Sequence, residues 1–141
     1  SLHVHRVQFE KEFHIYLELS DKMVSVREAL FTLNKALRPV FENDEKEKEY
    51  YASLKRNLKD AFVAFRDTVL KNKPFYDEDV FIAADRIIDL ALDEIITQDE
   101  SRSGQMPSLE RIMKMKDKVA ESTEALVKAI RKRIGLLKVV N

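Results

Sequence analysis

The sequence predicts an all-α fold, an antiparallel bundle of four helices, and three observations carry that prediction. Glycine occurs only twice and proline three times in 141 residues, too few for the turns of a β fold. Apolar residues recur three to four positions apart along four long stretches, the spacing of one face of a helix. The breaks between those stretches hold the capping and stopping residues that helix ends require.

The first helix is expected from Val4 to Arg38. Phe9, Phe13, Tyr16, Met23, Leu30, Leu37 and Phe41 recur at helical spacings, and Leu17, Val24 and Phe31 widen the row. Pro39 disfavours helical geometry at Arg38 and so ends or kinks the helix there. About 35 residues make a rod of roughly 50 Å. That is longer than the helices expected after it, so one end should project.

The second helix begins near Asn43-Asp44, either of which can cap it, and Asp44, Glu45 and Glu47 suit the positive end of the helix dipole. Tyr51, Leu54, Leu58, Ala61, Phe62, Phe65 and Val69 form its apolar row. Lys71, Asn72, Lys73 and Pro74 stop it, with Asn72 able to turn left-handed. The third helix starts after Asp77, with Tyr76 and Phe81 placed as a hydrophobic staple. It runs to about Thr97 and is apolar on all but a narrow face, so it should contact two neighbours within the bundle, or one neighbour and a partner chain. Residues 98–107 read as a loop. Ser108 then caps a fourth helix carrying Leu109, Ile112, Met115, Val119, Leu126, Ile130 and Leu137, with Gly135 as its C′ residue and its end near Ile134. Short links make sequential helices antiparallel neighbours.

A chain of this length fits one domain and buries roughly 70% of the surface its unfolded form exposes. It has no cysteine, which excludes disulfides and thiolate metal sites. Twenty-five basic residues balance 25 acidic ones, unlike the basic excess of a dedicated nucleic-acid binder. No run of 18 apolar residues offers a membrane span, and a soluble, cytoplasmic domain is expected, with tethering to a membrane through a longer chain as an alternative. Ser1-Leu2 at the start reads as a vector scar on an excised fragment.

The stretch VQFEKEFHIYLELSDKMVSVREAL (7–30), the junction KNKPFY (71–76) and the ending AIRKRIG (129–135) resemble a group of uncharacterised bacterial proteins. In that group a membrane segment and a charged coiled coil precede a helical domain of this kind. The resemblance implies an architecture and no activity, and it assigns a role to no residue.

Four constellations invite chemistry. A di-iron bundle needs Glu-x-x-His on two helices, and no such motif occurs. His3-x-His5 and the Glu10/His14 pair carry zinc-type ligands, but the same residues serve equally as a helix terminus and a surface pair. Asp85, Asp89 and Asp93 recur every four residues, a platform for Mg²⁺ or Ca²⁺ or for acid–base work. The opposing reading makes them the solvated face of an apolar helix. Lys128, Arg131, Lys132, Arg133 and Lys138 form a basic, amphipathic helix end suited to phosphate backbones or anionic membranes, or to favourable contact with the helix dipole. No Walker, His-Glu-x-x-His or Gly-x-Ser-x-Gly motif is present.

The reading that follows is a non-catalytic helical interaction or scaffold module, partnered by a second copy of itself or by another helical protein. Electrostatic binding of nucleic acid or membrane through the basic end is the first alternative. A metal-dependent enzyme using the acidic face is the second. No cofactor and no small-molecule substrate is indicated.

Overall fold

The computed structural model describes residues 2–35, 37–100 and 107–140, with side chains to Leu136. Four helices, α1 (Leu2–Leu33), α2 (Asp44–Asn72), α3 (Glu78–Glu100) and α4 (Leu109–Val140), hold nearly all of them, and a 3-10 turn at Lys73–Phe75 joins α2 to α3. No strand occurs among the described residues. Each of α1 and α3 lies against both α2 and α4, and the two face each other across a diagonal. Ion pairs report the directions. Glu18 in α1 meets Lys71 at the end of α2, Glu12 in α1 meets Arg133 near the end of α4, and Glu94 late in α3 meets Arg111 early in α4. Adjacent helices are therefore antiparallel, as the sequence predicts.

Three of the helix starts are the expected ones, and α3 begins at Glu78 directly after Asp77. Asn43 is extended, and its side chain accepts from the Lys46 N–H at 2.9 Å. Ser108 Oγ accepts from the Arg111 N–H at 3.1 Å. Each satisfies one of the donors that a helix N-terminus leaves open.

The helix ends depart from expectation. The first helix stops at Leu33 rather than Arg38, because the Asn34 amide competes with the backbone. Its Nδ2 and its own N–H both donate to the Leu30 carbonyl, at 2.9 and 3.2 Å. Leu37 is then exposed, and Phe41 packs on Tyr50 and Tyr51 instead of extending the α1 row. Asn72 is not left-handed (φ −100°, ψ 0°), and the chain tightens into the 3-10 turn that contains Pro74. Tyr76 is buried and stacks on Tyr16, with ring centroids 5.9 Å apart, a contact across the bundle. The third helix continues three residues past Thr97 to Glu100. Of the expected loop, residues 101–106 lie outside the described ones.

Gly135 does not end α4, which runs on to Val140. A glycine inside a helix costs only about 1 kcal/mol relative to alanine, and the preceding turn is anchored by Ile130 in the core and by Arg133 on Glu12. At 32 residues α4 equals α1, so the first helix is long but not alone in being so. The start of α1 runs beside the end of α4, and residues 2–8 are all exposed.

The core joins Leu19, Met23, Val26 and Leu30 of α1 with Leu58, Phe62, Phe65 and Val69 of α2, Val80, Ala84, Ile87 and Ala91 of α3, and Val119, Leu126 and Ile130 of α4. α3 packs between two neighbours yet leaves Ile82, Leu92 and Ile96 exposed on its outer side. No helix is long and apolar enough, among the described residues, to cross a membrane.

Candidate interaction surface

Two rows of residues run along α1, one position out of step. The inner row is Glu12, Tyr16, Leu19, Met23, Val26 and Leu30, and every member is buried. Its spacing alternates between four and three residues, as in a helix seam. One position further on, and so about 100° round the helix, lie Phe13, Leu17, Ser20, Val24, Arg27 and Phe31. Toward the N-terminus this outer row continues through Phe9 and Arg6 to Leu2. Leu17 is 58% exposed, Phe13 44% and Val24 37%, while Phe9 is part-buried and stacks on Phe13 at 6.0 Å. Between Phe13 and Val24 the outer row thus keeps three apolar side chains exposed, whereas Phe31 at its far end packs against the core. Contiguous exposed apolar surface of this kind marks interaction sites.

At the end of the bundle where α1 begins, a polar cluster ties three helices together. Glu12 is only 7% exposed. Its carboxylate receives Arg133 Nε at 2.7 Å and Nη2 at 3.4 Å, and the Tyr16 hydroxyl at 2.8 Å. The same hydroxyl accepts the Asp77 backbone N–H at 3.2 Å, just ahead of α3. Asp77 also stands 4.0 Å from Arg133 Nη1. The hydrogen bond to Glu12 raises the Arg133 pKa further. Burial holds the Tyr16 phenol far above its ordinary value and pushes Tyr76 up to about 12, so both act as neutral hydroxyls. Beside this cluster opens a groove of about 1410 Å³, walled by Val4, Val7, Ile15 and Phe75 with Glu10 and Glu78 at its sides. Glu12, Tyr16, Asp77 and Arg133 beside it are already engaged with one another, which suits a structural clasp better than a catalytic centre.

A second clasp lies near the opposite end. Glu94, 1% exposed, is held by Arg111 Nη2 at 3.3 and 3.2 Å and by the Gln98 amide at 2.7 Å. It joins α3 to α4. Both buried carboxylates are thus bound by arginines of the same helix, about 33 Å apart along its axis.

Neither buried carboxylate is singled out by the residue pattern, because a Glu within a helix reads as surface. The signal that finds Glu12 is register: it lies four residues before Tyr16 on the inner row. Glu94 continues the Val80, Ala84, Ile87, Ala91 row in the same way.

Asp85, Asp89 and Asp93 are all exposed on α3, along with Ile82, Leu92 and Ile96. No group of three or more metal-ligating side chains is gathered among the described residues. His3, His5 and His14 are exposed at the start of α1, where His3 and His14 border the groove. Lys128, Arg131 and Lys132 are exposed, whereas Arg133 turns inward to Glu12. The basic end therefore offers one cation fewer than its composition suggests. Lys138 and Leu137 lie outside the described side chains.

No protein-family model matches the chain, and no curated protein or solved structure matches it.

Proposed function

We propose that this domain is a non-catalytic helical interaction module, and that the outer row of α1 is its docking surface. The observation that carries the reading is the contrast on one helix: the inner row is wholly buried, and the outer row keeps Phe13, Leu17 and Val24 in water. An amphipathic helix laid along that row would fill it in the usual manner of helix-to-helix recognition. The inward commitment of Glu12, Arg133, Glu94 and Arg111 adds support, since these charges serve the fold.

The two alternatives have less behind them. Phosphate or membrane binding would fall to Lys128, Arg131 and Lys132, which share their helix with exposed Glu121 and Glu124. Metal-dependent catalysis on Asp85, Asp89 and Asp93 finds no facing acidic group to complete a site among the described residues.

The test is the double substitution Phe13→Glu with Leu17→Glu, read by thermal melting and by fluorescence of a hydrophobic dye in dilute solution. A docking surface predicts an unchanged melting temperature, to within a few degrees, together with a clear loss of dye binding. A large drop in melting temperature would mean that the row belongs to the fold, and the reading would fail.

A further inference from the structure

The outer row of α1 has a symmetry that bears on what covers it. Leu2 and Val24 lie eleven residues either side of Phe13, Arg6 and Ser20 lie seven, and Phe9 and Leu17 lie four. Eleven residues make almost a whole number of helical turns, so a row with this repeat stays nearly straight along the helix. From Leu2 to Val24 it is about 33 Å long.

A row whose spacing is the same read from either end, with apolar positions falling on apolar ones and Arg6 on Ser20, is self-complementary. Two copies lying antiparallel, with a twofold axis at Phe13, would set Phe13 against Phe13, Phe9 against Leu17, Leu2 against Val24 and Arg6 against Ser20. That is the isologous pattern, in which residue i meets j and j meets i. The exposed flank agrees in charge. His3, Glu10, His14 and Asp21 each follow a row position by one residue. In the antiparallel pairing Glu10 comes opposite His14 of the second copy, and His3 comes opposite Asp21. No two like charges are opposed on that flank, and like-charge juxtaposition is what usually forbids a wrong pairing. The other flank of the row is the bundle itself.

Resting on the interaction-module reading, we infer that the partner is a second copy of this chain, docked through an antiparallel α1–α1 seam with its twofold axis at Phe13. A single helix pair of this length sits at the small end of the range for specific interfaces, so the dimer should form and dissociate with concentration.

The chain contains no cysteine, which allows a direct test of register by single cysteines and mild oxidation. Phe13→Cys should give a disulfide-linked dimer by itself. Phe9→Cys and Leu17→Cys should each remain largely monomeric alone, since like positions would be about 12 Å apart along the axis, and should cross-link when the two proteins are mixed. That mixed pair keeps Phe13 in place, so it reports even if Phe13→Cys weakens the dimer. Equal cross-linking by all variants, including Leu70→Cys on α2 as a control, would signal random collision and overturn the seam. A dimer by mass that fails to cross-link at these positions would overturn the seam and leave the interaction module standing. A chain that is monomeric at every concentration would remove the second copy as partner. The dye and melting experiment would still decide whether the row is a docking surface.

Discussion

The two faces of α1 differ in one respect that matters. Tyr16, Leu19, Met23, Val26 and Leu30 lie one position out of step with Phe13, Leu17, Ser20, Val24, Arg27 and Phe31, and both rows follow the spacing of a helix seam. The inner row meets the core of the bundle, while much of the outer row meets water. Composition therefore does not decide burial here. The position of the neighbouring helices does, and the row they leave uncovered is where the domain has surface to offer.

The largest effect expected from this contrast is on stability. Leu19→Ala removes a wholly buried side chain and should cost about 2–5 kcal/mol. Leu17→Ala, two residues away, should stay within about 0.5 kcal/mol in dilute solution. Chemical denaturation of the two variants measures both, and similar losses would erase the distinction between the rows.

The clasp at Glu12 comes next. Arg133→Met leaves a buried carboxylate with the Tyr16 hydroxyl as its remaining described partner, and should cost about 2–4 kcal/mol given that Arg133 is partly exposed. Adding Glu12→Leu to that variant should restore much of the loss, because the unpaired charge is then gone. A double variant no better than the single one would mean that the clasp contributes more than charge compensation.

Alkaline pH probes the same end. Tyr16 and Tyr76 both have pKa values raised by burial, from 10.0 to about 12 for Tyr76 and higher still for Tyr16. The folded state keeps these protons when the unfolded state releases them. Their contribution is therefore complete below pH 10 and is lost as pH rises above it, with a slope of about 1.4 kcal/mol per pH unit for each group. Tyrosinate absorbance should show Tyr16 and Tyr76 titrating only as the protein unfolds, and Tyr76→Phe should flatten the decline. Normal titration of all four tyrosines in the folded protein would contradict the buried clasp.

The smallest effect belongs to Gly135. A Cβ there would meet nothing within 4 Å, and the residue is inside α4. Gly135→Ala should stabilise the domain by about 0.5–1 kcal/mol. A destabilisation would indicate that the helix ends there in a left-handed residue.

Much of this fold was legible in the residue pattern, and the failures share a cause. The caps at Asn43 and Ser108 are local chemistry, readable from a few neighbouring residues, and the structure has both. The end of α1 depends on Asn34 reaching back to Leu30, which competes with a strong apolar periodicity and is invisible to it. Gly135 carries a helix-ending signal worth about 1 kcal/mol, too little against a helix whose preceding turn is anchored by Ile130 and Arg133. On α1 the pattern merged two rows into one broad stripe, placing Phe13 with Tyr16. Only the positions of α2 and α4 separate them. The same blindness hides Glu12 and Glu94, whose arginine partners lie on another helix. For the candidate surface, the apolar residues were legible and their exposure was not.

The central claim is that the outer row of α1 brings a second chain to this one. The direct measurement is absolute mass by light scattering during size exclusion, over a wide concentration range, for the wild type and for Phe13→Glu. The wild type should move from 16.5 kDa toward twice that mass as concentration rises, and Phe13→Glu should remain at the single-chain mass with its melting temperature intact. A wild type that stays at one chain throughout, or a Phe13→Glu variant that dimerises equally well, would contradict it.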